Sequence, residues 1–229
     1  MGSKFKLPTE TVDLPSKGLL YPEDSPLAKG TIEMKYMTAK EEDMLTNQNY
    51  INDGTVIDRL LQSLIVTEGV DFNDILIGDK NAIMVAARIL SYGKDYQINY
   101  GDSSYNIDLS ELKEKEVDNS VFKDRKNNFT FKLPHTGNEV SFKLLTHGDE
   151  IAIEKEINGL KKINKQESSQ VTSRLKYIVT SINGLTDIKD VREFVDKYLL
   201  AKDARALIEE YARISPDVDL KFYPEFSGE

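Results

Sequence analysis

The chain has 229 residues, with 30 Lys and Arg against 39 Asp and Glu, no cysteine, no tryptophan and two histidines. Disulfide scaffolds, thiolate zinc sites, iron–sulfur clusters and cysteine nucleophiles are excluded, because each needs a residue that is absent. A net charge of -9 argues against a nucleic-acid partner, which is gripped through clustered Lys and Arg, while 39% hydrophobic residues suffice for the core of one domain or two modest ones.

The start, Met1 to Pro8, has no apolar h-region, and Lys6 stands where a myristoylation motif needs Ser or Thr. Apolar runs such as Leu64 to Val66 and Ile83 to Ala87 are too short to span a bilayer. The expectation is an intracellular protein bound to no membrane. Residues 1–30 read as an extended arm, because Pro8, Pro15, Pro22 and Pro26 bias their predecessors away from helix, and no helix is expected there. Ile32, Met34 and Tyr36 then alternate with polar residues as a half-buried strand does. Thr38, followed by Glu41 three residues on, predicts a capped helix. After Asn52-Asp53-Gly54, the steps between Val56, Leu60, Leu61, Leu64 and Ile65 predict a second helix, and Asp79 to Tyr92 a third that Gly93 ends. Tyr96 to Leu109 reads as a hairpin around Gly101.

Residues 111–128 are charged and poor in apolar side chains, which suits a linker or a solvated insertion in one continuous domain. Beyond them Phe129, Phe131 and Leu133 form a strand, with Val140, Phe142 and Leu144 as its hairpin partner. Helices are predicted at 147–163, 168–183, 187–198 and 201–214, and Leu220 with Phe222 as a closing strand.

The two halves share an order of landmarks. Leu14-Pro15-Ser16-Lys17-Gly18 matches Leu133-Pro134-His135-Thr136-Gly137. Met37-Thr38-Ala39-Lys40-Glu41-Glu42 matches Leu145-Thr146-His147-Gly148-Asp149-Glu150. Arg59-Leu60 matches Arg174-Leu175, and Asp79 with Ala82-Ile83-Met84 matches Asp203 with Ala206-Leu207-Ile208. A duplication explains this order, and chance recurrence of helix caps and Leu-Pro turns is the competing explanation.

Candidate chemistry is sparse. His147 with Asp149 and Glu150 brings an imidazole near carboxylates, yet first-turn acids are what a helix start requires, so capping is the better reading. His135 reads as a solvated turn residue. No glycine-rich phosphate loop and no Gly-x-Ser-x-Gly elbow occurs. Lys155, Lys161, Lys162 and Lys165 alternate with Glu154 and Glu156, as on a solvated helix face. No catalytic residue, cofactor or metal is expected. The segment that stands out is in the arm, where Leu14, Pro15, Gly18, Leu19, Leu20, Tyr21 and Pro22 crowd apolar side chains into an irregular backbone. These are the candidate partner-binding residues, and the segment either folds over its own lobe or lies in a neighbour's groove.

The run from Leu14 to Pro22, then Met37 to Asn47, then Leu76-Ile77-Gly78-Asp79-Lys80-Asn81 leading to Ala87 through Gly93, resembles the T4-type phage baseplate proteins, the hub subunits and hub assembly factors of contractile tails. The resemblance covers nearly the whole chain. It implies a non-enzymatic tail protein that builds or forms part of the baseplate hub by binding other hub and tail proteins, with oligomerisation in the baseplate a further expectation. It would be found in the host cytoplasm during assembly, and in the virion tail if retained. An assembly chaperone absent from the virion, or a cell-wall-degrading enzyme, are the alternatives. The expected fold is α+β, with an arm at 1–30, a first lobe at 31–110, a linker at 111–128 and a second lobe at 129–229. Each lobe is to combine short antiparallel strands with three or more helices, as pseudo-repeats.

Overall fold

A computed structural model describes residues 6–101, 103–122, 124–163 and 170–221. In the first half β1 (Thr9–Asp13) pairs antiparallel with β2 (Thr31–Lys35), Val12 lying opposite Ile32. Part of the expected arm is therefore a strand. The arm also contains a 3-10 turn, Pro26–Lys29, contrary to the expectation of no helix. Ser25 accepts the Leu27 N–H there, and Pro26 occupies a first-turn position that needs no donor. Prolines exclude helix interiors, not helix starts.

Ile32 and Met34 of β2 are buried and Glu33 is exposed, as a period of two dictates. Helices α1 (Ala39–Leu45), α2 (Gln48–Asn52) and α3 (Val56–Leu64) follow. The short α2 exists because the Asn47 side chain accepts the N–H groups of Asn49 and Tyr50 and so restarts the helix. Helix α3 buries Leu60, Leu61 and Leu64 on one face. Ile65 then leaves the helix to bridge Met34, and Val66 N–H donates to the Glu33 carbonyl at 2.9 Å. Helix α4 (Ile77–Tyr92) ends at Gly93, whose φ of 83° suits glycine. The hairpin of β3 (Asp95–Tyr100) and β4 (Ser103–Asp108) completes this half.

The second half forms a three-stranded antiparallel sheet in the order β5 (Phe129–Lys132), β6 (Glu139–Phe142), β7 (Val179–Ile182). Helices α5 (His147–Ile163), α6 (Gln170–Ile178), α7 (Ile188–Lys197) and α8 (Ala201–Ile214) accompany it. The helix expected at 168–183 stops at Ile178, and Val179 to Ile182 pair with β6 instead. Val-Thr-Ser-Ile favours a pleated surface, and the β6 edge offers its backbone groups partners. No closing strand forms at Leu220; Val218 makes an isolated bridge to Glu114, and Phe222 lies outside the described residues.

The fold is α+β with two tandem lobes of one grammar: two paired strands, a capped helix, a helix that returns to the sheet, and a helix rich in alanine. In the first lobe the return is only the Ile65 bridge; in the second it is β7. One continuous core joins them, from Leu14, Leu61 and Ile83 to Leu133, Phe142 and Leu207. Each such side chain contributes about 1.5–3 kcal/mol by leaving water. The segment at 111–128 is tied to both halves. Phe122 is buried, Arg125 donates to the Gly18 and Ala28 carbonyls at 3.3 and 3.0 Å, and Lys115 N–H donates to the Asp217 carbonyl at 2.8 Å.

Candidate functional site

The Leu-Pro turn that stood out in the sequence wraps around one carboxylate. Asp79, third residue of α4, is 1% exposed. It accepts the Ser16 N–H at 2.9 Å, the Ser16 hydroxyl at 2.7 Å and the Tyr21 hydroxyl at 2.6 Å. Tyr21 in turn accepts the Leu76 N–H at 2.9 Å. Burial pushes the Asp79 carboxyl above its usual range despite these bonds, and burial together with the Asp79 charge pushes the Tyr21 phenol far up. Gly18 and Gly30 close the turn back to back, with φ of 71° and 73°. A Cβ on Gly30 would lie 2.7 Å from the Lys17 carbonyl.

The second half repeats this device. Asp203, third residue of α8, is 0% exposed and accepts the His135 and Thr136 N–H groups at 2.8 and 3.1 Å. Burial opposes its charge, but the His135 amide and the Thr136 side chain and amide win and hold Asp203 below the usual carboxylate range. The helix starts correspond as well. Thr38 N–H donates to Glu41 at 3.0 Å and Lys35 to the same carboxylate at 2.8 Å. Thr146 N–H donates to Asp149 at 3.1 Å, and Lys143 to that carboxylate at 2.8 Å. Glu41 is buried, yet the Lys35 and Thr38 bonds bring it down to about 2. Each half thus sets a buried aspartate of a helix's first turn against a Leu-Pro turn, and an acid at a helix start beside a lysine from the preceding strand end.

His147 sits where the lobes meet. Ile75-Leu76-Ile77 and Leu145-Thr146-His147 run antiparallel, Leu76 bridging Thr146. Ile77 N–H donates to the Leu145 carbonyl at 3.2 Å, and His147 N–H to the Ile75 carbonyl at 2.8 Å. The His147 ring is 3% exposed, packs edge-on against Phe72 at 4.7 Å, and lies 3.0 Å from Lys80 Nζ, which pairs with Asp58 at 2.7 Å. Burial, then the Lys80 charge, push the imidazole below its usual value while Asp58 pulls the other way. Asp149 and Glu150 are engaged elsewhere, with Lys143 and Arg174. The sequence trio therefore does not converge; its members cap and brace. His135 is exposed in its turn, as expected. Among the described residues no group of three or more His, Asp and Glu side chains could hold a metal ion, and no helix is long and apolar enough to cross a membrane.

Of the candidate partner-binding residues, Leu14, Pro15, Gly18, Leu20 and Tyr21 are buried in the chain's own lobe, Leu19 is half-buried and Pro22 is exposed. Leu20, Tyr21 and Pro22 line a cavity of about 460 Å³ shared with Asp71, Asn127 and Thr146, so the turn also meets the rim between the lobes. Sequence reasoning missed a second exposed group, Tyr198 and Leu200 at the entrance to α8, which are 61% and 51% exposed. The only signal for it was the alignment of Leu200 with Leu76, since both stand three residues before their aspartate.

Comparison with curated proteins and with solved structures returns no match. The family model described as T4 bacteriophage base plate protein matches residues 8–223, nearly the full length and both lobes, and the chain belongs to that family.

Proposed function

We propose that the protein serves in building the hub of the baseplate by protein–protein recognition and without catalysis. The observation that carries this reading is the use made of the polar interior. The buried Glu41, Asp79, His147 and Asp203 are each bonded to a cap, a turn or the lobe junction, which leaves an arrangement fitted to rigid shape and not to proton transfer. Membership of the baseplate family supplies the setting. Other hub and tail proteins are the proposed partners, and the rim around Leu19, Pro22 and the 460 Å³ cavity is the proposed contact on the arm side.

Cross-linking mass spectrometry on infected cells and on purified particles tests this. The reading expects cross-links from the Pro22 rim to hub proteins during assembly, lost in a Pro22→Asp variant that still folds. Cross-links confined to the outer baseplate would overturn the hub assignment. Presence in purified particles marks a hub subunit, and absence from them an assembly factor.

A further inference from the structure

The lobe junction is an interface between unlike faces of two similar units, and each of those faces has a counterpart at the far end of the molecule. With Asp79 matched to Asp203, the junction segment Ile75-Leu76-Ile77 corresponds to Leu199-Leu200-Ala201. With Thr38 matched to Thr146, Leu145-Thr146-His147 corresponds to Met37-Thr38-Ala39. The backbones agree: Leu76 and Leu200, each the residue before its helix, have φ and ψ of -61°, 148° and -65°, 144°.

Exposure separates the two sets. Ile75 and Leu76 are 0% and 4% exposed beneath the second lobe, whereas Leu200 is 51% exposed with Tyr198 beside it. His147 is buried in the junction and its counterpart Ala39 is exposed. Within the chain the Ile77 and His147 N–H groups find carbonyls across the junction. Their counterparts, the Ala201 and Ala39 N–H groups, have no such backbone partner among the described residues. Both faces carry mixed charge, with exposed Asp196, Lys197, Lys202 and Arg205 around Leu200 and exposed Lys40, Glu42 and Asp43 after Ala39, so each offers opposite charges to the other.

We infer that a second copy of this chain docks head to tail, its Met37-Thr38-Ala39 segment pairing with Leu199-Leu200-Ala201 as the second lobe pairs with the first. Ala201 N–H donates to the Met37 carbonyl of the incoming copy, and that copy's Ala39 N–H donates to the Leu199 carbonyl. Leu200 and Tyr198 are covered as Leu76 is. Lys40 stands where Gly148 packs closely on Asn73, and the counterpart of Asn73 is Lys197, so both exposed lysines must turn out to solvent for the paired segments and the apolar face to meet. Such a heterologous contact leaves one free face at each end, and it closes into a ring or continues as a filament according to its rotation. The inference stands on the internal repeat and is independent of the hub assignment.

Two variants separate the faces. Leu200→Asp places a charge in the apolar face of one end only. Ala39→Pro removes one N–H at the other end, at a first helical position where proline is tolerated and after Thr38, whose extended backbone accepts it. Sedimentation velocity over a roughly hundredfold concentration range should show the wild type growing with concentration. Each variant alone should associate at least about tenfold more weakly. A mixture should form a dimer and stop there, since Leu200→Asp retains a working Ala39 face and Ala39→Pro a working Leu200 face. A wild type that stays monomeric overturns the inference and leaves the face to a different baseplate protein. Variants that assemble as the wild type does, or a mixture without dimer, overturn it too. Circular dichroism of each variant confirms that the fold is kept.

Discussion

At Asp203 both carboxylate oxygens accept backbone N–H groups, whereas at Asp79 two of the three donors are hydroxyls. A hydroxyl can rotate to accept a hydrogen bond, and an amide N–H cannot. Replacing Asp203 with Asn forces a side-chain NH₂ against a backbone donor, for an expected loss of about 2 kcal/mol. At Asp79 the Ser16 and Tyr21 hydroxyls can turn to receive the new NH₂, and burial already favours an uncharged group there. Asp79→Asn should therefore cost less than about half as much. Urea midpoints of the two variants, with unchanged slopes, measure the difference; equal losses would contradict the argument. The identity of these positions was legible in the sequence as matched landmarks, because helix starts carry local signals. Their role was not, because the partners lie 63 and 68 residues away and no local pattern encodes that distance.

Elements were legible where the hydrophobic period was undisturbed and an end signal was present: a capping side chain at the start of α1 and α7, Gly93 at the end of α4 and Pro216 beyond the end of α8. They were missed where pairing with a distant segment decided the outcome. β1 lies among prolines and exists through β2; β7 continues the pattern of α6 and exists through β6. The junction strand pair is such a case, and its stability should depend on pH. His147 has a folded pKa below 6.5, so the native state binds fewer protons than the unfolded chain. Its contribution is complete above 6.5 and is lost as pH falls below that value, by up to about 1.4 kcal/mol per unit. The melting temperature of the wild type should drop between pH 7.5 and 5.5 more than that of His147→Gln. Identical slopes for the two would remove His147 from the pH response.

For the molecule as a whole, the question is whether the two lobes unfold together. The shared core and the ties through 111–128 favour a single transition, since neither lobe can lose its face of the junction without exposing Ile75, Leu76 and Leu145. Gly78 is the point at which this coupling is most sensitive. A Cβ there would fall onto the Pro216 carbonyl, where the end of the second lobe passes over α4. Alanine is favoured over glycine inside a helix by about 1 kcal/mol, but overpacking at a backbone contact costs about 1–3 kcal/mol. Gly78→Ala is thus expected to destabilise, and to do so between the lobes. Amide exchange should speed up at His147, whose N–H bonds across the junction, and at Lys115 and Asp219, whose N–H groups join the segment 111–128 to the end of the second lobe. The Val191 amide, bonded within its own lobe, should stay protected, and the denaturation curve should broaden toward two steps. Gly159 is the control: it lies inside α5, and a Cβ added there would meet nothing within 4 Å, so Gly159→Ala should raise stability by about 0.5–1 kcal/mol and leave exchange at the junction unchanged. If Gly78→Ala keeps junction protection while lowering stability uniformly, the lobes are one cooperative unit for reasons other than this contact, and the junction is a consequence of the shared core instead of its clasp.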